Sequence, residues 1–152
     1  MEAFHAFGEA AVGTDKTIWN LFNPNATPTT RGRIYDITTG CEATPNDAAT
    51  DFRVSRSTAV GTEGSGFTPV NIDPDGPAGE YDAGIAHPTT GPTYTANAIL
   101  LQFSLNQRAT YRWVANPGCE LILPATQNNG AGLYSSSGTG TAVHQSSVFF
   151  YE

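Results

Sequence analysis

Apolar and polar residues alternate along short runs of this chain, and each run stops at a cluster of turn residues. Lys16–Phe22 (KTIWNLF) is closed by Asn23-Pro24-Asn25. Residues 31–38 (RGRIYDIT) alternate next, ending before Gly40-Cys41. Residues 51–58 (DFRVSRST) set Phe52 and Val54 on one face and Arg53 on the other. Residues 93–105 (TYTANAILLQFSL) aim Ile99, Leu101, Phe103 and Leu105 one way, against Leu100, Gln102 and Ser104. Residues 109–115, 119–123 and 132–136 follow, and residues 141–151 (TAVHQSSVFFY) place Val143, Ser147, Phe149 and Tyr151 together. No window holds a helical period with caps. A period of two between turn clusters is the pattern of half-buried strands. About eight such strands predict an all-β fold, a jelly-roll-like β-sandwich.

Two regions break the rhythm. Residues 1–13 carry Phe4, His5 and Phe7 among small residues, which reads as an extended N-terminal arm or an extra edge strand. On the arm reading, Phe4 and Phe7 order against a neighbouring subunit. Residues 61–92 form a long Gly/Pro-rich surface loop, anchored by Phe67, Val70, Ile72, Tyr81 and Ile85. Loops this long in a compact domain usually carry function or are disordered, and the spaced anchors favour an ordered excursion. With no internal repeat and no linker, residues 1–152 read as one domain, long enough for a single core.

Composition narrows the function classes. Only 14% of residues are charged, and Lys16 is the one lysine, so Thr, Ser, Asn and Gly supply the polar surface. A net charge of −7 argues against a nucleic-acid partner, whose phosphates call for a basic face. It argues equally against an anionic membrane surface, and no apolar run is long enough to span a bilayer. The opening MEAFHAFGEAAVG lacks the basic start and apolar middle of a signal peptide, so synthesis in a reducing cytoplasm is expected. Cys41 and Cys119 then read as buried free thiols, with a long-range disulfide as the lesser alternative.

Sites of chemistry are hard to find. Asp73, Asp75, Glu80 and Asp82 invite a calcium reading, but their spacing fails the EF-hand loop and fits a solvated acidic turn. His5, His87 and His144 share no metal-ligand spacing. Ser65 lies between glycines without a GxSxG elbow, and no P-loop or dinucleotide fingerprint exists. No cofactor and no enzymatic activity are expected. The surface case is stronger. Arg31 and Arg33 stand two apart and share a strand face, while Arg108 and Arg112 flank a strand start beside Trp113. Arginine and large aromatics are enriched at interface hot spots, so Phe4, Phe7, Arg31, Arg33, Arg108, Arg112 and Trp113 are the interface candidates. The plainer alternative pairs the arginines with acids such as Asp36 or Asp51 and packs Trp19 and Trp113 in the core.

The run RGRIYDITTGCEATPNDAATDFRVSRSTAVGT, taken with PTYTANAILLQFSLNQRATYRWVANPGCELILPATQNNGAGL, resembles capsid decoration (cement) proteins of tailed bacteriophages. The resemblance covers residues 15–150 and implies a structural virion protein, made in the host cytoplasm and seated on the outer capsid surface. It implies a homotrimer that clamps the major capsid protein lattice, with that protein and its own copies as partners. Other readings are a head-fibre base or receptor-binding module, or a carbohydrate-binding jelly roll stacking sugars on Trp19, Trp113 or Tyr134.

Overall fold

The computed structural model describes residues 1–62, 65–85 and 90–152. Among these it holds twelve strands and no helix. They are β1 (Ala3–Ala11), β2 (Lys16–Phe22), β3 (Arg33–Ala43), β4 (Ala49–Ala59), β5 (Ser65–Phe67) and β6 (Val70–Asn71). After these come β7 (Asp82–Ile85), β8 (Thr93–Asn106), β9 (Tyr111–Val114), β10 (Leu121–Ile122), β11 (Gly130–Ser137) and β12 (Val143–Tyr151). Sheet A runs β10-β3-β12-β1-β6, with β9 also on β3, and sheet B runs β5-β7-β2-β11-β4-β8.

The pairings nest. Strand β1 lies against the last strand, β12, and β2 lies against β11, the last but one. Strands β3 and β4 then take the free sides of β12 and β11. The first four strands thus alternate between the sheets, and the returning chain fills in beside them. This is the double Greek key of a jelly roll. The expected sandwich is the observed one.

The expected arm is the main correction. Residues 3–11 form an internal strand, in unbroken register with β12 from Ala3↔Tyr151 to Ala11↔Val143. Its inner face is Phe4, Ala6 and Gly8, all buried. A Cβ on Gly8 would collide with the carbonyl oxygen of Ile18 on β2, so the small residues are what lets the two sheets close here. Small residues on the inward face carry little apolar signal, which is why the segment reads as an arm. The Gly/Pro-rich stretch is a loop only in part. Its described residues add β6 to the edge of sheet A, and β5 and β7 to the edge of sheet B.

The core lies between the sheets and is built from Phe4, Trp19, Leu21, Ile34, Ile37, Phe52, Leu133, Val148 and Phe150, among others. Some of its polar atoms bond to one another: Trp19 Nε1 donates to Ser146 Oγ at 3.0 Å, and Thr39 Oγ1 does so at 3.0 Å. Tyr81, from the long excursion, is buried, donates to the Pro124 carbonyl and accepts from the Gly32 amide, both at 3.1 Å. In β8 the alternation breaks. Ser55 faces Ile99 but Ser57 faces Tyr94, and Asn97 takes a left-handed φ of 59°. The excursion turns Ile99 outward, to 42% exposure, while Leu100 joins Leu101, Phe103 and Leu105 against the core.

Candidate interaction surface

Half of β12 faces away from the core, and it is as apolar as the half that faces in. Phe149 and Tyr151 stand on the outside of sheet A, alternating with buried Val148 and Phe150. One register row crosses the whole sheet as Val114, Asp36, Phe149, His5 and Val70. The rings along it touch in series. Tyr35 stacks on Tyr151 at 4.3 Å, Phe149 meets His5 at 4.7 Å, and Phe7 meets Phe67 edge-on at 4.9 Å. Val70, Ile72 and Val114 are more than half exposed at the margins. Water-facing sheet surfaces normally show polar residues outward, so a continuous aromatic row calls for an explanation.

A β-bulge shapes the centre of this face. Phe149 pairs with Asp36 but Phe150 with Ile34, so Tyr35 is the extra residue. Bulges re-aim side chains, and here Tyr35 and Asp36 flank a shallow depression of about 580 Å³, completed by Thr38, Arg112 and Phe149. Arg112 donates to Asp36 through both Nε (3.1 and 3.2 Å) and Nη2 (2.6 Å). The carboxylate side chain is 10% exposed and the guanidinium 64%, so Asp36 holds Arg112 from beneath. A second depression of about 210 Å³ continues from Thr38 towards Gly40, Cys41, Thr110, Gln145 and Ser147. Thr38 lines both, so the two depressions lie next to each other along β3 and β12 and are together termed the groove.

Sheet B presents something different. Its outer face is covered near β2 by the start of β8, where Tyr94 stacks on Tyr134 at 4.3 Å and bonds Thr17 at 2.9 Å. Burial there pushes the Tyr94 hydroxyl well above its usual range. Further along the face is polar: Asp51 accepts from Gln102, Ser104 and Ser136 and pairs with Arg53 at 3.2 Å. The edge is unusual. Strand β8 spans Thr93–Asn106, and among the described residues no strand pairs with its outer side.

The seven interface candidates fall into separate places. Phe4 is in the core and is corrected from a surface role; Phe7 is half buried against Phe67. Arg31 precedes β3 rather than lying on it, so the shared strand face with Arg33 does not form. Arg33 is exposed opposite Tyr151, on the same outer face as Arg112. Arg108 is exposed in the β8–β9 turn, away from that row. Trp113 faces Ile37 and packs on the core, so Arg112 and Trp113 point to opposite sides of β9. The Asp36 partner considered for the arginines is the observed partner of Arg112. Trp19 and Tyr134 are buried, which removes them as sugar platforms.

The remaining chemistry is dispersed. His144 lies inside sheet A and His5 outside it, while His87 lies outside the described residues. Among the described residues no three His, Cys, Asp or Glu converge as a metal site. Asp73 and Asn71 cap a tight turn, accepting from the amides of Asp75 and Asp73 at 3.0 and 2.9 Å. Glu80 instead staples the β2–β3 loop. It accepts from Asn23, from the amides of Thr29 and Thr30, and from the Thr29 hydroxyl, which holds its pKa down at about 2. Both thiols are free, but Cys119 is exposed and Cys41 half exposed, so the expected burial is corrected. Ser65 opens the short strand β5.

No protein-family model matches the chain, and no curated protein matches it significantly. The site therefore rests on its own geometry. Tyr35, Phe149 and Tyr151 are not among the interface candidates that the sequence suggests. The signal was present in Phe149-Phe150-Tyr151: consecutive aromatics on a strand place rings on both faces.

Proposed function

We propose that this chain is a structural virion protein, a decoration protein that binds the outer surface of a phage's major capsid protein lattice as a homotrimer. The observation that carries the reading is the free edge of β8. A long unpaired edge offers a row of backbone donors and acceptors to another chain, and proteins that stay alone blunt such edges with lysine, proline or short length. Residues 94–106 hold neither lysine nor proline, Ile99 is exposed, and beyond the irregular start of the strand residues 101–106 keep an unbroken register. One of the two runs that resemble decoration proteins, residues 92–133, takes in the whole of β8 and β9. A jelly roll closed by internal pairing is also a rigid block suited to clamping.

A standard-sized contact of roughly 800 Å² per partner is modest for one copy. Linking three copies turns the second and third contacts into intramolecular events, so the trimer holds far more tightly than its protomer. Whatever binds the assembled lattice and not its separated subunits stabilises the lattice. Expanded capsids carrying the protein should burst at higher temperature than stripped ones. Ile99→Lys should leave the fold intact, lower the trimer fraction in light scattering and reduce capsid occupancy in co-sedimentation. Equal heat resistance of stripped and decorated capsids would overturn the reading.

A further inference from the structure

The groove on the outer face of sheet A is distinct from the β8 edge and asks for a different ligand. It runs along β12 from Gln145 to Tyr151, about 20 Å at strand rise. One end is aromatic, with Phe149, Tyr35 and Tyr151. The other is polar, with Thr38, Thr110, Ser147, Gln145 and the Glu42 carboxylate, and the Thr110 side chain lies against Gly40. Between them stands Arg112, fixed by Asp36 through Nε and Nη2, with Nη1 unengaged among the described residues.

Three features decide the ligand class. The lining sets two aromatic rings, Tyr35 and Phe149, beside a larger set of convergent polar side chains, and such groups fix the orientation of a small ligand. From Asp36 to Thr39 both strands under the groove are paired on each side, β3 with β12 and β9, β12 with β3 and β1. A peptide lying here finds no free backbone to pair with, so strand addition is excluded on this face. Charge is balanced at the centre by Arg112 and Asp36, on a molecule of net charge −7, which disfavours an anionic ligand. What remains is a neutral molecule with an apolar face for the rings and many hydroxyls for the side chains.

We propose that this groove binds a neutral oligosaccharide, with a pyranose ring on Phe149 and Tyr35 and its hydroxyls bonded to Arg112 and Thr38. Equatorial hydroxyls leave the C–H faces of a gluco-configured ring free to meet the negative face of an aromatic ring. Further sugar units then extend towards Gln145 and Ser147. Asp36 acts as a positioning residue, holding the guanidinium so that little freedom is lost on binding.

The test uses the full chain, isotope-labelled, titrated separately with cellohexaose and N-acetylchitohexaose and followed by amide and side-chain NMR. Binding of at least one probe should shift resonances of Tyr35, Thr38, Arg112 and Phe149. Phe149→Leu keeps apolar bulk but removes the ring face, and Arg112→Lys keeps the charge but removes the fork. Each should weaken binding about tenfold or more while the melting temperature stays near the parent's, and Ile99→Lys should leave affinity unchanged. The proposal is overturned if neither hexasaccharide shifts the groove, or if both groove variants bind as the parent does. Polygalacturonate, an acidic chain, should not bind; groove shifts with it alone would equally refute a neutral-ligand site.

Discussion

His144 shows what one buried side chain contributes. Its ring is fully buried, edge-on to Phe52 at 4.9 Å, and neither nitrogen makes a well-formed hydrogen bond. Burial pushes its pKa below the usual value, with the Gly40 backbone working against the shift. His5 is shifted the same way by burial. The folded state therefore refuses a proton that the unfolded chain accepts below about pH 6.5. Stability is full above that pH and falls beneath it, by up to about 1.4 kcal/mol per pH unit for one such group. Urea midpoints at pH 7, 6 and 5 should decline in order, and His144→Leu should flatten most of that decline. Equal midpoints across the range would show that the ring is protonated in place. The side of β12 that carries His144 was legible in the alternation, but not its direction. Val148-Phe150 and Phe149-Tyr151 are matched in hydrophobicity, so sequence alone has no means of choosing the inner pair.

Among the elements, the middle of β4 was legible because Phe52 and Val54 recur at period two, and β2 because a short run rich in β-branched and aromatic residues ends at Asn23-Pro24. Strand β1 was not, because close approach to β2 demands Ala6 and Gly8 where a sequence pattern looks for bulk. Its contribution to the fold is large all the same. Phe4 is 2% exposed and stacks on Phe150 at 5.6 Å, so Phe4→Ala should cost about 3–5 kcal/mol in chemical denaturation. Phe7→Ala, on the half-buried outer side, should cost clearly less. Deleting residues 1–11 should unfold the protein rather than merely weaken assembly, as a collapsed near-UV circular dichroism spectrum would reveal. A folded deletion product would restore the arm. Strands β5, β6 and β7 were hidden for another reason: two to four residues among glycines and prolines hold too few alternations to count. The outer groove was hidden more deeply, since it depends on a one-residue bulge at Tyr35 that no local pattern announces.

For the molecule as a whole, the two proposals fall on different sheets: an open edge on sheet B for other protein chains, an aromatic groove on sheet A for a neutral oligosaccharide. The same nesting that makes the block rigid also dictates a timetable. The centre of sheet A is β12, the last strand to be made, and it separates β1 from β3. At a synthesis rate of roughly 5–20 residues per second, β1 and β3 wait several seconds for the partner that lies between them. During that interval Phe4, Ile34 and Ile37 have no completed sheet to shelter them. Pairings between chain ends are slow to form, and refolding from urea should take milliseconds to seconds rather than microseconds. Nascent chains arrested before residue 143 should be cut readily by protease, and chains released after residue 151 should resist. A cell that makes this protein therefore has to keep unfinished chains apart until β12 arrives.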